Sequence, residues 1–264
     1  MPVDSGPERS VTIITGGSRG IGAAIAKRLA ADAGTGSAET NLHLIINYAG
    51  NRAAADDVVA NVSSSDGSVT ASAVQADVGK PDDVAVLFAA ADEAGMLTGL
   101  VNNAAILYPI GPFTDITAER LERMWAVNIT GSFLCAREAV VRMSTANGGI
   151  GGAIVNVSSL AASFGSPNEF VDYAASKGAL DTMTKGLSTE VAAQGIRVNA
   201  VRPGLIETDI HAAAGQPDRV QALAANVPLR RGGKPEEVAN LVAWLLSAQA
   251  SYVTGALMDI GGGR

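Results

Sequence analysis

Four side chains in the sequence are suited to proton transfer beside a polarised oxygen atom. Tyr173 and Lys177 lie four positions apart near the start of a predicted helix, so both project from one helix face. A phenol is a poor base at neutral pH, but a neighbouring desolvated ammonium favours the phenolate and lowers the pKa of the phenol. The same spacing also fits a tyrosine and a lysine that lie along an amphipathic surface, and the pair alone does not separate these interpretations.

The other two side chains are Ser159 and Asn128. Ser159 follows a predicted strand, at the sheet edge where doubly wound folds bind ligands. Its hydroxyl can polarise a carbonyl oxygen within reach of the Tyr173 proton, although a serine at a strand end often only forms a turn, and Ser158 competes for the role. Asn128 lies inside a predicted helix, where asparagine is unfavourable, so it is either a surface residue or one with a function.

A glycine-rich turn follows the first predicted strand and opens a helix. It reads Thr15-Gly16-Gly17-Ser18-Arg19-Gly20-Ile21-Gly22. Glycines allow a sharp turn and a close approach of backbone N–H groups to a pyrophosphate, and the N-terminus of the helix attracts that anion. Between a strand and a helix, this pattern predicts dinucleotide binding rather than a bare structural turn.

These residues lie on a regular alternation of short apolar runs and helical patterns. The predicted strands are Val11–Thr15, Leu42–Tyr48, Val69–Ala76, Gly99–Asn102, Ala153–Val157, Ile196–Arg202 and Ala256–Asp259. The predicted helices cover about 20–33, 51–64, 81–94, 117–145, 172–194 and 235–247. The alternation predicts an α/β fold: a single domain over residues 1–264 with a Rossmann-like, doubly wound parallel sheet of about seven strands and helices on both faces. The long segment 204–227 has no predicted element and is expected to form a lid over the substrate.

Composition excludes several other classes of protein. The chain has 264 residues, of which 17% are charged, and a formal net charge of −7, so neither a disordered chain nor a nucleic-acid-binding surface is expected. No apolar stretch is long enough to cross a membrane and Met1–Ser10 lacks the pattern of a secretion signal, which favours the cytoplasm. The single Cys135 is predicted to be a core residue, and His43 and His211 have no second ligand at metal spacing, so no metal is expected.

The spacing of the glycine turn, T-G-x-x-x-G-x-G, resembles that of the short-chain dehydrogenase/reductase family. Further motifs similar to those of the family follow in the expected order between residues 10 and 262: Asn102–Ala105, Val127–Ile129, Ser158–Ser159, Tyr173-x-x-x-Lys177, Arg202–Gly204, Pro228–Ala239 and Tyr252–Gly262. One departure is Ala105, where the family usually has glycine.

The resemblance implies a function and a set of residues. It implies hydride transfer between a nicotinamide and a carbonyl carbon, with Tyr173 as the acid or base, Ser159 on the carbonyl oxygen, Lys177 beside Tyr173, and Asn128 holding a water that connects Lys177 to solvent. Ser159 is preferred to Ser158 because its position after Val155–Val157 resembles that of the catalytic serine of the family. The residues expected to bind the cofactor are Gly16, Ser18, Arg19, Gly20, Ile21, Gly22, Asn47, Tyr48, Arg52, Asp77, Val78, Asn103, Ala104, Ala105, Tyr173, Lys177, Pro203, Gly204, Ile206 and Thr208.

The end of the second strand indicates which nicotinamide is bound. A site for NAD places a carboxylate there to accept the hydrogen bonds of the ribose 2′-hydroxyl, and the run Ile46–Arg52 contains none. Arg19 and Arg52 are instead suited to a 2′-phosphate. The sequence therefore predicts a preference for NADP(H), with NAD(H) as the alternative.

The substrate is expected to be a small alcohol or carbonyl compound bounded by Tyr108–Phe113, Phe164–Phe170 and the segment 204–227. The run Glu169–Lys177 resembles sugar dehydrogenases of the glucose 1-dehydrogenase type, which suggests a sugar or a small ketone. The C-terminal motifs are equally similar to 3-oxoacyl-carrier-protein reductases, so a 3-oxoacyl thioester is the alternative. A non-catalytic nicotinamide-binding regulator is a further alternative, disfavoured because it would not require all four of the proton-transfer residues. Members of the family commonly form tetramers, which implies a homotetramer, or a homodimer.

Overall fold

The computed structural model describes residues 9–34, 41–64 and 67–264. Within these ranges seven strands form one parallel sheet in the order β3-β2-β1-β4-β5-β6-β7. The strands are β1 Ser10–Ile14, β2 Leu42–Tyr48, β3 Val69–Gln75, β4 Met96–Asn102, β5 Gly152–Val157, β6 Ile196–Pro203 and β7 Leu257–Ile260. The strand order reverses between β1 and β4, which creates the crevice where doubly wound folds bind ligands. The predicted fold class is confirmed.

Helices cover both faces of this sheet. They are α1 Gly20–Gly34, α2 Arg52–Val62, α3 Pro81–Ala94, α4 Ala118–Trp125, α5 Ser132–Met143, α6 Ala161–Phe164, α7 Val171–Val191, α8 Ile210–Ala213, α9 Arg219–Leu223 and α10 Pro235–Leu246. None of the helices within the described ranges is long and apolar enough to span a membrane.

Two apolar clusters, one on each face, hold the layers together. Successive strand residues point to opposite faces, so Ile14 packs in one cluster with α1 and α10, while Ile13 packs in the other with α3 and α5. Both isoleucines are fully buried. Cys135 lies in the second cluster, as a core residue, and burial raises the pKa of its thiol to about 12. Because both faces are covered, the strands read as near-continuous apolar runs.

The helix predicted over 117–145 is wrong as a single α-helix. A π-helical segment, Ala126–Gly131, separates α4 from α5. Two contacts accompany the change in winding: the side chain of Asn128 turns inward and bonds the backbone of Ile106, and Gly131 lies so close to Val78 that a Cβ atom there would be 2.7 Å from the Val78 carbonyl oxygen. Insertions of this kind are frequent at functional sites.

The long segment 204–227, for which no element was predicted, contains the short helices α8 and α9. Of the N-terminal segment Met1–Ser10, residues 1–8 lie outside the described residues.

Candidate active site

A cavity of about 1000 Å³ opens at the carboxyl ends of the strands, over the crevice between β1 and β4. Its walls are the turn between β1 and α1, the segments that follow β2, β3, β4, β5 and β6, and the start of α7. Most of the predicted cofactor residues line it: Gly16, Ser18, Arg19, Gly20, Ile21, Asn47, Tyr48, Asp77, Val78, Asn103, Ala104, Ala105, Tyr173, Lys177, Pro203, Gly204, Ile206 and Thr208. Ser158 and Ser159 also line it, whereas Gly22, Arg52 and Asn128 do not.

The glycine turn is fixed to the segment after β4 by Thr15. The hydroxyl oxygen of Thr15 accepts hydrogen bonds from the backbone N–H groups of Asn103 (2.9 Å) and Ala104 (3.0 Å). The Asn103 side chain donates back to the carbonyl oxygens of Thr15 (2.8 Å) and Gly16 (3.0 Å). Gly16 has a φ of +61°, and a Cβ atom there would lie 3.0 Å from the Cα atom of Ala104. Thr15 was not predicted as a site residue, although its place at the strand end, before Gly16, was the available signal.

Two predicted cofactor residues maintain the shape of this turn. Gly22 lies behind it, where a Cβ atom would be 2.4 Å from the Gly16 carbonyl oxygen, so glycine is required there for close packing of α1. The buried Asn47 side chain accepts a hydrogen bond from the Gly16 N–H (3.2 Å) and donates one to the Ala76 carbonyl oxygen (2.9 Å). Asn47 therefore ties the turn to β2 and to the end of β3.

Asp77 stands at the end of β3 and faces the cavity. One of its carboxylate oxygens accepts a hydrogen bond from the Gly79 N–H (3.0 Å), and the other pairs with the guanidinium of Arg123 on α4 (2.9 Å). The carboxylate thus caps a turn while it borders the cavity, and its charge is balanced by Arg123.

The two arginines predicted to meet a 2′-phosphate lie in different environments. Arg19 is exposed, lines the cavity and has no side-chain hydrogen bond or ion pair with any described residue. Arg52 pairs instead with Asp56, one helical turn along α2 (3.1 Å), with 71% of its side chain exposed. Arg52 itself does not line the cavity, and its contact with the cofactor stays a prediction.

Tyr173, Lys177 and Ser159 all line the cavity. The side chain of Lys177 is almost fully buried; its Nζ atom donates a hydrogen bond to the Val157 carbonyl oxygen (2.8 Å) and lies 5.5 Å from the centroid of the Tyr173 ring. The Ser159 hydroxyl accepts a hydrogen bond from the Ala161 N–H (3.1 Å) and lies close enough to Tyr173 to lower the pKa of the phenol. The hydroxyl of the buried Ser158 donates to the Lys177 carbonyl oxygen (3.1 Å) and thereby anchors α7.

Burial governs the protonation of this group. It raises the pKa of Tyr173 to about 12, against the opposing effect of Ser159. It lowers the pKa of Lys177 to about 8, against the attraction of Asp181. The expectation of a lowered pKa for Tyr173 is therefore wrong for this arrangement, because burial disfavours the charged phenolate. Tyr173 carries its proton at neutral pH.

Asn128 is fully buried outside the cavity. Its side-chain oxygen accepts a hydrogen bond from the Ile106 N–H (2.8 Å), and its Nδ2 atom donates to the Ile106 carbonyl oxygen (3.0 Å) and to the Ser176 hydroxyl (3.2 Å). The Ser176 hydroxyl in turn donates to the Tyr173 carbonyl oxygen (2.7 Å). The side chain thus holds the cavity wall at Ile106 and the first turn of α7, and the reading of Asn128 as a surface residue is wrong.

The cavity lining also contains a pair of opposite charges. Arg219 of α9 donates to a carboxylate oxygen of Glu169 (2.6 Å) and lies over the ring of Phe170, 5.2 Å from its centroid. All three residues line the cavity. Of the predicted substrate walls, Phe164–Phe170 and the segment after β6 contribute, whereas Tyr108–Phe113 do not line the cavity.

His211, also in the lining, donates from Nε2 to the Ile206 carbonyl oxygen (3.0 Å). His43 contacts the hydroxyls of Thr70 and Ser72 in the sheet. Among the described residues, no group of three or more His, Cys, Asp and Glu side chains is arranged to hold a metal ion.

Comparisons with known proteins agree with this geometry. A family model described as enoyl-(acyl carrier protein) reductase matches residues 16–264. The uncharacterized oxidoreductase YgfF of Escherichia coli (strain K12) is 50% identical over 97% of this chain and 100% of its own length. Glucose 1-dehydrogenase 2 of Bacillus subtilis (strain 168) is 35% identical, with 95% and 93% covered. The solved structure of a short-chain dehydrogenase/reductase from Serratia marcescens BCRC 10948 superposes with a TM-score of 0.82 at 32% identity over 97% of both chains.

Proposed function

Because the chain belongs to the short-chain dehydrogenase/reductase family, we propose that it is an NADP(H)-dependent enzyme in which Tyr173 exchanges the proton between an alcohol and a carbonyl. That it is an oxidoreductase acting on CH–OH groups, with a nicotinamide cofactor, follows from the family and its named dehydrogenases. The proposal concerns the residue roles, the preferred cofactor and the substrate. It rests above all on one observation: Ser159, Tyr173 and Lys177 share a cavity with the glycine turn.

The residues around the crevice fit a dinucleotide. Gly16 lines the cavity without a side chain, and the first residues of α1, Gly20 and Ile21, line it too, so the N-terminus of this helix borders the same space. Residues Gly16–Ile21, Asn103–Ala105 and Pro203–Thr208 would hold the cofactor. When bound, the nicotinamide supplies or accepts the hydride.

The residues of the chain then handle the oxygen and its proton. In the direction of reduction, the hydroxyls of Ser159 and Tyr173 donate hydrogen bonds to the carbonyl oxygen. Tyr173 transfers its proton to that oxygen as the carbonyl carbon is reduced, since a pKa of about 12 keeps the phenol protonated until it is used. The ammonium of Lys177 balances the charge of the resulting phenolate, which regains a proton from solvent. Oxidation runs through the same steps in reverse.

Of the two arginines suited to a 2′-phosphate, Arg19 supports the preference for NADP(H). Its guanidinium borders the cavity with no partner among the described residues, so it is available to a phosphate. The positions after β2 offer no carboxylate to a ribose 2′-hydroxyl, and the nearby Asp77 is paired with Arg123.

The substrate that fits best is a small hydroxylated carbonyl compound, such as a sugar. Glu169 retains one carboxylate oxygen outside its bond with Arg219, and 36% of its side chain is exposed at the cavity. A carboxylate in this position accepts hydrogen bonds from hydroxyl groups. The similarity to glucose 1-dehydrogenase 2 supports the same class.

The segment 204–227 is proposed to act as the lid of this site. It contributes Leu205, His211 and Arg219 to the lining, and the bond between Arg219 and Glu169 joins it to the segment that precedes Tyr173. A homotetramer or homodimer is also proposed, supported by Trp125, Phe133 and Val141, which α4 and α5 leave 44 to 51% exposed. A monomer in light scattering at working concentration contradicts that assembly.

The central test is an assay of NADPH and NADH absorbance with sugars, aldehydes, ketones and 3-oxoacyl thioesters, for the wild type and Tyr173→Phe. We expect turnover with a hydroxylated carbonyl substrate, and its loss in Tyr173→Phe with cofactor binding retained. Tyr252→Phe, at a fully exposed tyrosine, is the matched control. Cofactor binding without turnover of any substrate by the wild type contradicts the proposal and favours a regulator, and turnover of thioesters alone contradicts the substrate class.

A further inference from the structure

We propose that Arg120, which lies outside the cavity, is a positioning residue for Tyr173; this inference rests on the role of Tyr173 proposed above. The starting observation is a buried ion pair. The Nε atom of Arg120 on α4 bonds one carboxylate oxygen of Asp172 (2.6 Å) and Nη2 bonds the other (3.2 Å). The Asp172 side chain is fully buried and that of Arg120 is 15% exposed.

Asp172 immediately precedes Tyr173 in the first turn of α7. Besides Arg120, its carboxylate accepts a hydrogen bond from the backbone N–H of Tyr173 (2.9 Å). A carboxylate is favourable at the N-terminus of a helix, but a fully buried one requires a partner for its charge. The guanidinium supplies that partner in a two-point geometry, which fixes direction as well as distance. The bond that orients the Tyr173 backbone therefore depends on Arg120.

Arg120 also holds the chain that follows β4. Its Nη1 atom donates to the Pro109 carbonyl oxygen (3.1 Å), and its guanidinium lies over the ring of Tyr108, 5.2 Å from the centroid. The residues just before, Asn103 to Leu107, line the cavity. One side chain thus connects the start of α7 to the segment after β4, and both segments line the cavity.

A second hydrogen bond to the Tyr173 backbone, from Ser176, does not replace the one that Asp172 accepts. The Ser176 hydroxyl holds the Tyr173 carbonyl oxygen, and Asn128 holds Ser176, so the C-terminal side of Tyr173 is fixed from the π-helical segment. On its N-terminal side, the backbone N–H of Tyr173 bonds the Asp172 carboxylate, and the segment before it is held by the bond between Arg219 and Glu169. Loss of Arg120 leaves the buried carboxylate unpaired, and we expect the first turn of α7 to shift or to fluctuate.

The test compares Arg120→Met, Arg120→Lys, Asp172→Asn and the double variant Arg120→Met/Asp172→Asn with the wild type. Because small misplacements of a reacting group are costly, we expect Arg120→Met to lower kcat by roughly tenfold or more with little change in the Kd of the cofactor. Lysine can reach one carboxylate oxygen but cannot bond both, so Arg120→Lys should recover only part of kcat. The double variant should be less impaired than the two single effects combined, because it leaves no unpaired charge.

Arg28→Met is the matched control. Arg28 pairs with Asp32 (2.9 Å) on α1 and lies outside the cavity, so its loss tests a general effect of removing an arginine ion pair. All variants are assayed well below their melting temperatures. If Arg120→Met retains the kcat of the wild type, or if Arg28→Met loses as much activity, the positioning role is overturned.

A second readout does not depend on the substrate. The chain has four tyrosines, so the Cζ carbons of 13C-labelled tyrosine can be assigned by single Tyr→Phe changes. In Arg120→Met we expect the Tyr173 signal to shift or broaden while the signals of Tyr48 and Tyr252 stay in place, with Tyr108 as the internal positive control. If the wild type turns over no substrate, the proposed function fails and this spectrum still decides: an unchanged Tyr173 signal overturns the positioning role.

Discussion

The Nζ atom of Lys177 donates a hydrogen bond to the carbonyl oxygen of Val157, 2.8 Å away at the end of β5. The bond holds the lysine against the sheet, beneath the ring of Tyr173, so the buried charge lies beside the group that exchanges the proton. The same burial lowers the pKa of the lysine to about 8. This hydrogen bond thus connects α7 to β5 and fixes the position of the lysine charge beside the Tyr173 ring.

The burial of Lys177 predicts how stability depends on pH. Because its folded pKa of about 8 lies below its ordinary value of 10.5, the charged lysine destabilises the fold in full below pH 8, and this penalty is lifted as the pH rises towards 10.5. The free energy of unfolding of Lys177→Met should therefore exceed that of the wild type at pH 7, on the order of 2 to 3 kcal/mol before cavity effects. At pH 9.5 the difference should be smaller.

Urea unfolding at pH 7 and pH 9.5 measures this difference. The higher pH stays below the pKa of Tyr173 in the folded protein, which is about 12. Lys185→Met, at an exposed position two turns further along α7, is the control and should show no such dependence. An equal gain at both pH values for Lys177→Met contradicts the prediction.

Arg19 is predicted to determine the choice of cofactor. Arg19→Ala should raise the KM for NADPH by about 10- to 100-fold, the effect of one lost charge-assisted hydrogen bond, and leave the KM for NADH nearly unchanged. Arg52→Ala should change neither value, because its guanidinium is paired with Asp56 outside the cavity. Steady-state kinetics with both cofactors distinguish the two arginines. Equal use of NADPH and NADH by the wild type argues against any preference.

Glu169 is predicted to select hydroxylated substrates. Glu169→Gln keeps the size of the side chain but weakens its bond to Arg219 and its acceptance of hydroxyl hydrogen bonds. We expect kcat/KM to fall about tenfold for a sugar and to change little for a small apolar ketone. Competition between the two substrates measures this ratio directly. A parallel loss for both indicates that Glu169 supports the site only through the lid.

Thr15 is predicted to stabilise the cofactor cavity without touching the reacting atoms. Thr15→Val has nearly the same shape but leaves the N–H groups of Asn103 and Ala104 without their acceptor. We expect a loss on the order of 2 kcal/mol in the free energy of unfolding and weaker cofactor binding. Calorimetry with and without NADPH measures both effects. Thr189→Val, at an exposed threonine whose hydroxyl donates to the Lys185 carbonyl oxygen, should alter neither.

Local sequence patterns were sufficient for the fold and for most of the cavity lining. The strands begin and end within three residues of the predicted bounds, since continuous apolar runs and the turn residues that bound them are encoded by neighbours in the chain. The glycine turn, the pair Tyr173 and Lys177, and the preference for Ser159 over Ser158 depend on short spacings or on the order of motifs.

What the sequence by itself determined, then, was a doubly wound α/β sheet with a glycine turn at its crevice and a tyrosine and lysine on one helix face. Only the tertiary structure decided that Arg19 faces the cavity while Arg52 pairs along α2, that Asn128 is buried at a π-helical segment, and that Arg120 reaches Asp172, 52 positions away. The physical reason is that helix and strand periods are set by residues a few positions apart, whereas the partner of a charged or amide side chain depends on which distant groups the folded layers bring within about 3 Å of it.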